Sequence, residues 1–189
     1  MGLQSDQVSI EDYTAQWAEA FGEERDRLVA ALGPLALTVE HVGSTSVPGL
    51  CAKPVIDIAI GVTDLQTGKE CVAPLSALGY EYKGEAGIPG RHFLAKGNPE
   101  NRTHYIHVEP LNEALWRNHI LFRDYLRCHP EEAVTYGQLK MALAEQFSQD
   151  RDAYALGKNN YIENIIRIAS QEYELDESGR SRPRNERDS

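Results

Sequence analysis
Apolar positions along this chain change period several times, and each change marks an element. Tyr13, Trp17, Ala20, Phe21 and Leu28 recur at helical spacing up to about Leu32, after an N-cap signal at Ser9-Ile10-Glu11-Asp12. Gly33-Pro34 ends that helix. The pattern then becomes dense and β-branched, so Leu35 to Val42 reads as a strand running into Gly43-Ser44-Thr45-Ser46. Pro48-Gly49 forbids a long helix, and Lys53-Pro54 forces an extended entry into a second strand, Val55 to Val62, apolar except for Asp57. Asp64 caps a further helix with Leu65, Val72, Leu75 and Leu78 on one face, closed by Gly79. Three shorter strands follow, Tyr80 to Lys83, Arg91 to Lys96 and Thr103 to Glu109. In the last of them alternation puts Tyr105, His107 and Glu109 on one face, with His104, Ile106 and Val108 on the other. Helical spacing returns in Glu113 to Arg127, Glu131 to Phe147 and Arg151 to Ala169.

These elements predict a mixed sheet of about five strands. The Leu35 to Val42 and Val55 to Val62 strands lie adjacent near its middle, helices cover one face, and the carboxy-terminal part is helical. From Gln171 the sequence is charged and poor in apolar residues, so residues 171–189 read as a disordered tail whose removal leaves stability unchanged.

A length of 189 residues suits one domain with a real core, and 41% apolar with 25% charged residues is an ordinary globular balance. The net charge of −10 argues against a general nucleic-acid binder, which presents a basic face. Cys51, Cys71 and Cys128 have no zinc-ligand spacing and read as small hydrophobes in a reducing, cytoplasmic setting. No stretch reads as a signal peptide or a bilayer span.

Candidate chemistry concentrates around the first turn. Gly43 permits close backbone approach to a ligand, and Ser44, Thr45 and Ser46 offer hydroxyl and N–H groups suited to an anion such as phosphate. Asp57, alone in an apolar strand, needs a partner, and a metal ion is one; Lys53 or an arginine is the structural alternative. His41, His104 and His107 are either chemical groups or satisfied strand histidines. Neither GxxxxGK[ST] nor GxGxxG occurs, and VGSTSVPG is no G-x-S-x-G elbow, so P-loop, Rossmann and serine-nucleophile readings fall away.

The run HVGSTSVPGLCAKPVIDI resembles the signature of the GrpB-like family, which has the nucleotidyltransferase fold. The resemblance continues through Arg91-His92-Phe93, His104 to Val108, Phe122 to Arg127, Tyr136, Leu139-Lys140 and Tyr154 to Lys158, and covers about Ile10 to Ile168. It implies a single α+β domain over residues 1–170, with its helical part at 112–170. It also implies a phosphate site at Gly43-Ser44 and magnesium ions held by strand carboxylates, Asp57 being the first. The second carboxylate position holds Ala59, so Glu109, Glu40 or His107 would have to replace it. Lys53, Arg91, Arg123, Lys140 and Lys158, with Tyr154 one helical turn before Lys158, are the candidate lining for phosphate or carboxylate groups; solvated ion pairs and core packing are the plainer alternatives. Two functions stay open. One is a magnesium-dependent nucleotidyltransferase-like enzyme acting on a nucleotide or other phosphorylated small molecule. The other is a relative that binds a small anionic metabolite, or performs acid–base chemistry on it through His107 and Glu109.

Overall fold
The structure, a computed structural model, describes residues 8–99, 101–111 and 113–184. Helix α1 (Gln16–Leu32) starts later than the cap signal suggests, because Glu11 and Ala52 exchange two backbone hydrogen bonds of 2.9 Å. A 3-10 turn at Gly33–Leu35 then shortens strand β1 to Thr38–Val42. Strand β2 is Ile56–Val62, and after it Asp64 accepts the Thr67 N–H at 2.8 Å to cap α2 (Leu65–Glu70). Helix α3 (Val72–Ala77) leads into strands β3 (Tyr80–Tyr82), β4 (His92–Lys96) and β5 (His104–Pro110). Three long helices follow, α4 (Ala114–Cys128), α5 (Pro130–Gln146) and α6 (Arg151–Glu172), and then a hairpin of β6 (Tyr173–Leu175) and β7 (Ser181–Pro183).

The main sheet has the order β1-β2-β5-β4-β3. Within it only the central β2–β5 pair is parallel. Thus β1 and β2 are neighbours as expected, but β1 lies at the sheet's edge rather than its middle. One face carries Ile56, Ile58, Ile60 and Val62, all fully buried against Trp17, Leu28 and Leu32 of α1 and Leu75 of α3. Burial of each such side chain stabilises by about 1.5–3 kcal/mol.

Helices cover both faces, not one. The second face of β2 carries Asp57, Ala59 and Gly61, in register with Tyr105, His107 and Glu109 of β5. Helix α4 lies on the small pair Ala59 and Gly61 through Trp116 and Ile120, and a Cβ on Gly61 would meet the Trp116 ring at 3.2 Å. The small side chains are what let the helix descend. A separate core of Leu121, Leu126, Tyr136, Ile165 and Ala169 joins α4, α5 and α6, and takes in Val47 and Leu50 of the β1–β2 connection. The helical half is thereby packed against the turn that follows β1.

The described part of the expected tail is ordered and docked. Helix α6 runs past Gln171, and the β6–β7 hairpin returns to α4: the buried Trp116 donates Nε1–H to Gly179 O at 2.9 Å. Ser181 donates to Asp124 at 2.5 Å. Tyr173 and Leu175 also pack against the neighbouring cores, and the composition concealed the docking because these two apolar residues stand in an otherwise charged segment whose remaining contacts are polar. Truncation after Ser170 is therefore expected to strand the Trp116 N–H, at about 1–3 kcal/mol, and to lower Tm by about 2–4 °C for each kcal/mol. Thermal unfolding of the truncated chain checks this.

Candidate functional site
A tight turn after β1 shapes the site. Gly43 has φ +69° and ψ −174°, a conformation that only glycine adopts readily, and a Cβ there would lie 2.7 Å from Asp57 Oδ2. Ser46 donates its hydroxyl to Gly43 O at 2.6 Å, while the Thr45 hydroxyl meets His41 Nε2 at 2.9 Å. Thr45 and Ser46 are thus spent inside the fold. Gly43 and Ser44 face a cavity of about 480 Å³, within the size range of small-molecule sites.

The sheet contributes Val42, Asp57 and His107 to this cavity. Helix α4 adds Leu115, Asn118, His119 and Phe122, whose spacing is one helical stripe. Helix α6 presents Asn159, Ile162, Glu163 and Ile166 at the same spacing, with Lys158 beside them, and Tyr136 comes from α5. The wall is apolar in the helical half and polar at the sheet.

His107 is held from both sides. Arg91 donates to Nδ1 at 2.8 Å, and Nε2 lies 3.4 Å from Asp57 Oδ1. A guanidinium only donates, so neutral His107 carries its proton on Nε2, pointed at Asp57. Burial, the largest influence, pushes His107 below its ordinary pKa against the opposing pull of Asp57, which keeps the ring neutral. Glu109 is fully buried and lies 3.2 Å from His119 Nδ1. Burial raises its pKa, but the His119 hydrogen bond first, and the positive charge of Arg91 beyond it, lower it, and the net position is below the usual carboxylate range.

The remaining basic candidates do not converge on the cavity as a set. Arg123 donates to Glu40 at 2.7 Å, Asp124 at 2.6 Å and His41 O at 3.1 Å, and so ties α4 to β1. Tyr154 is buried, with Lys53 and Lys158 over its ring at 4.4 and 4.2 Å; of these three, Lys158 alone lines the cavity. His41 stacks on Phe21 and is pushed by burial down to about 4. His104 bonds Thr103 at 3.0 Å on the opposite face of the sheet. Lys140 is buried and donates to Cys51 O.

Burial depresses Lys140 to about 7, against about 10.4 for an exposed lysine. A lowered folded-state value means that the charged form is disfavoured in the native protein. The cost is fully present below pH 7 and is shed as pH rises toward the unfolded value. The stability of wild type relative to Lys140→Met is therefore expected to increase between about pH 7 and pH 10. Paired urea titrations across that range check the sign.

The family model described as GrpB protein matches residues 7–167. The chain belongs to the GrpB family. It is 41% identical over 155 residues to the UPF0157 protein YqkA of Bacillus subtilis, covering 82% of this chain but only 45% of YqkA. The crystal structure of conserved protein GrpB from Enterococcus faecalis superposes with a TM-score of 0.80 at 38% identity, over 86% of this chain and 98% of that one. A more distant likeness is to Cid1 in complex with the UTP analog UMPNPP, with a TM-score of 0.50 at 14% identity, over 77% of this chain and 48% of Cid1. That likeness concerns the fold, which is of nucleotidyltransferase type.

The GrpB residues present do not fit the paired magnesium ions that this fold implies. Ala59, at the expected second carboxylate, is fully buried among Val42, Trp116 and Ile120. Asp57 and Glu109 share a face, but Asp57 pairs with Tyr105, four residues before Glu109 on β5. That backbone offset is about 13 Å along the strand, although both side chains reach toward His107. No cluster of metal-ligating groups among the described residues contains both Asp57 and Glu109. Among the described residues His107, Glu109 and His119 do bring donor atoms within 4.8 Å of one another. Arg91, however, occupies the lone pair at His107 Nδ1 and leaves Nε2 protonated, so this ring has none to offer a cation.

Sequence reasoning found Gly43, Ser44, Asp57, His107 and Lys158 at the cavity, and Arg91 and Glu109 immediately behind it. His119 and Asn118 were missed. Their signal was available, since they are polar positions inside the stripe Leu115 to Phe122, on the helix side that packs inward.

Proposed function
We propose that this protein binds a small phosphorylated molecule, a nucleotide being one member of the class, and acts on it by acid–base chemistry rather than by two-metal nucleotidyl transfer. The observation that carries the reading is the approach of Gly43 to Asp57 at the mouth of the cavity, a contact that leaves the turn's backbone facing the cavity beside a carboxylate. Gly43-Ser44 and Lys158 receive the phosphate, and Phe122, Tyr136 and Ile162 receive the body of the molecule. Neutral His107 supplies an oriented N–H donor. Asp57 by itself suits at most one magnesium ion brought in on ligand phosphates, an ion commonly held by one or two carboxylates plus phosphate oxygens.

A thermal-shift panel of nucleoside mono-, di- and triphosphates and sugar phosphates, each with magnesium or with chelator, tests the reading. At least one compound is expected to stabilise wild type, by about 2.7 kcal/mol at a hundred times its Kd. In Asp57→Asn the unliganded Tm is expected to hold within a few degrees, because the amide oxygen still accepts from His107, while any magnesium-dependent part of the shift disappears. A panel with no stabilising compound would count against the proposal. So would a shift that Asp57→Asn leaves untouched in both its magnesium-dependent and its magnesium-independent parts.

A further inference from the structure
His107 and His119 meet edge to face at the cavity with ring centroids 4.8 Å apart, yet they are held in opposite senses. Arg91 is donor-only and fixes His107 with its proton on Nε2. Glu109 sits behind His119 as a fully buried carboxylate with its pKa below the usual range: burial alone would raise it, and the His119 hydrogen bond is the leading influence that lowers it. A carboxylate only accepts, so the 3.2 Å contact to Oε2 requires His119 to donate from Nδ1. The lone pair of neutral His119 is then on Nε2. The side chain of His119 is 29% exposed where that of Glu109 is wholly buried, so the open part of the pair is the imidazole.

We infer that Glu109 and His119 form an oriented carboxylate–imidazole dyad whose His119 Nε2 is the general base of this cavity. It rests on the proposed reading of the cavity as a ligand site and names the group that acts there. The base takes a proton from a hydroxyl of the bound molecule. The proton moves onto Nε2, and Glu109 balances the resulting imidazolium across the Nδ1–H bond. Glu109 is a positioning residue, since it has no access to the cavity of its own. Its second oxygen, Oε1, is buried with no hydrogen-bond partner among the described residues. Such an undercompensated carboxylate gains when positive charge forms on the imidazole beside it. His107, bearing its proton on Nε2 two residues before Glu109, has the complementary role of donor. One cavity thus holds a proton acceptor and, beside it, a hydrogen-bond donor.

The inference is tested without any ligand, so its failure and that of the binding proposal are distinguishable. Long-range proton–nitrogen NMR correlations of the histidine rings, recorded on the whole chain with chelator at mildly alkaline pH, report the tautomers. The expected spectrum has His119 protonated on Nδ1 and bare on Nε2, with His107 the reverse. Glu109→Gln is expected to lose the single His119 tautomer, and if that variant does not fold the wild-type spectrum decides alone. Diethyl pyrocarbonate followed by peptide mass mapping gives a second readout, with His119 expected to be acylated well before His107. A bare Nδ1 on His119, a reversed order of acylation, or zinc shifting the nitrogens of both rings together would overturn the inference.

Discussion

Replacing Ala59 with aspartate, which restores the carboxylate pair expected of a two-metal nucleotidyltransferase, is expected to damage the protein rather than activate it. Position 59 is fully buried in contact with Trp116 and Ile120, and its neighbours across the sheet are Glu40 and His107. Glu40 is already engaged by Arg123 at 2.7 Å, so no free cation among these neighbours stands ready for a second acid. The new carboxylate would be buried without a partner, at roughly 3–5 kcal/mol, and helix α4 would have to lift from the sheet. Chemical denaturation of Ala59→Asp, with and without magnesium, measures this. Wild-type stability together with a new magnesium-dependent stabilisation would show that the second metal position is open after all.

The second large effect is expected at Gly43. Alanine there must adopt φ +69° with an extended ψ, which costs about 1–3 kcal/mol before any contact is considered. Its Cβ also meets Asp57 Oδ2 at 2.7 Å and Asp57 Cβ at 3.0 Å, so either the turn or Asp57 moves. Gly43→Ala should therefore lose both stability and the ligand-induced shift. Gly49→Ala is the control, because Gly49 has φ +79° but a Cβ added there would meet no atom within 4 Å. It is expected to show the conformational cost alone and to keep the shift. Equal loss of the shift in both variants would mean that the Gly43–Asp57 contact is unimportant for binding.

Legibility in the sequence followed the range of the interactions involved. Strand alternation is a local property, and it suffices to put Tyr105, His107 and Glu109 on one face of β5, the face that the β2–β5 register shares with Asp57. The Gly43 turn was equally legible, because a glycine followed by three hydroxyl residues between strand patterns has few conformational solutions. What stayed hidden depends on where distant segments return. The descent of α4 onto the second face is written in Ala59 and Gly61, but small residues in a strand read as a close-packing site only when the covering helix is known. For the same reason His119 looked like an ordinary polar interruption of an amphipathic helix, although Glu109 lies directly behind it. Arg123 and Lys140 were misassigned in the opposite direction. Basic side chains in shared motifs suggested anion binding, whereas the fold uses one as a brace between α4 and β1 and the other as a buried donor to Cys51.

The most direct test of the central claim is a crystal structure of the full chain with whichever phosphorylated compound stabilises it most. Phosphate oxygens are expected within hydrogen-bond reach of Gly43-Ser44 and Lys158, with the rest of the molecule against Phe122, Tyr136 and Ile162 and at most one magnesium ion, on Asp57. A compound seated outside this cavity, or two magnesium ions bridged by Asp57 and a second carboxylate, would contradict it.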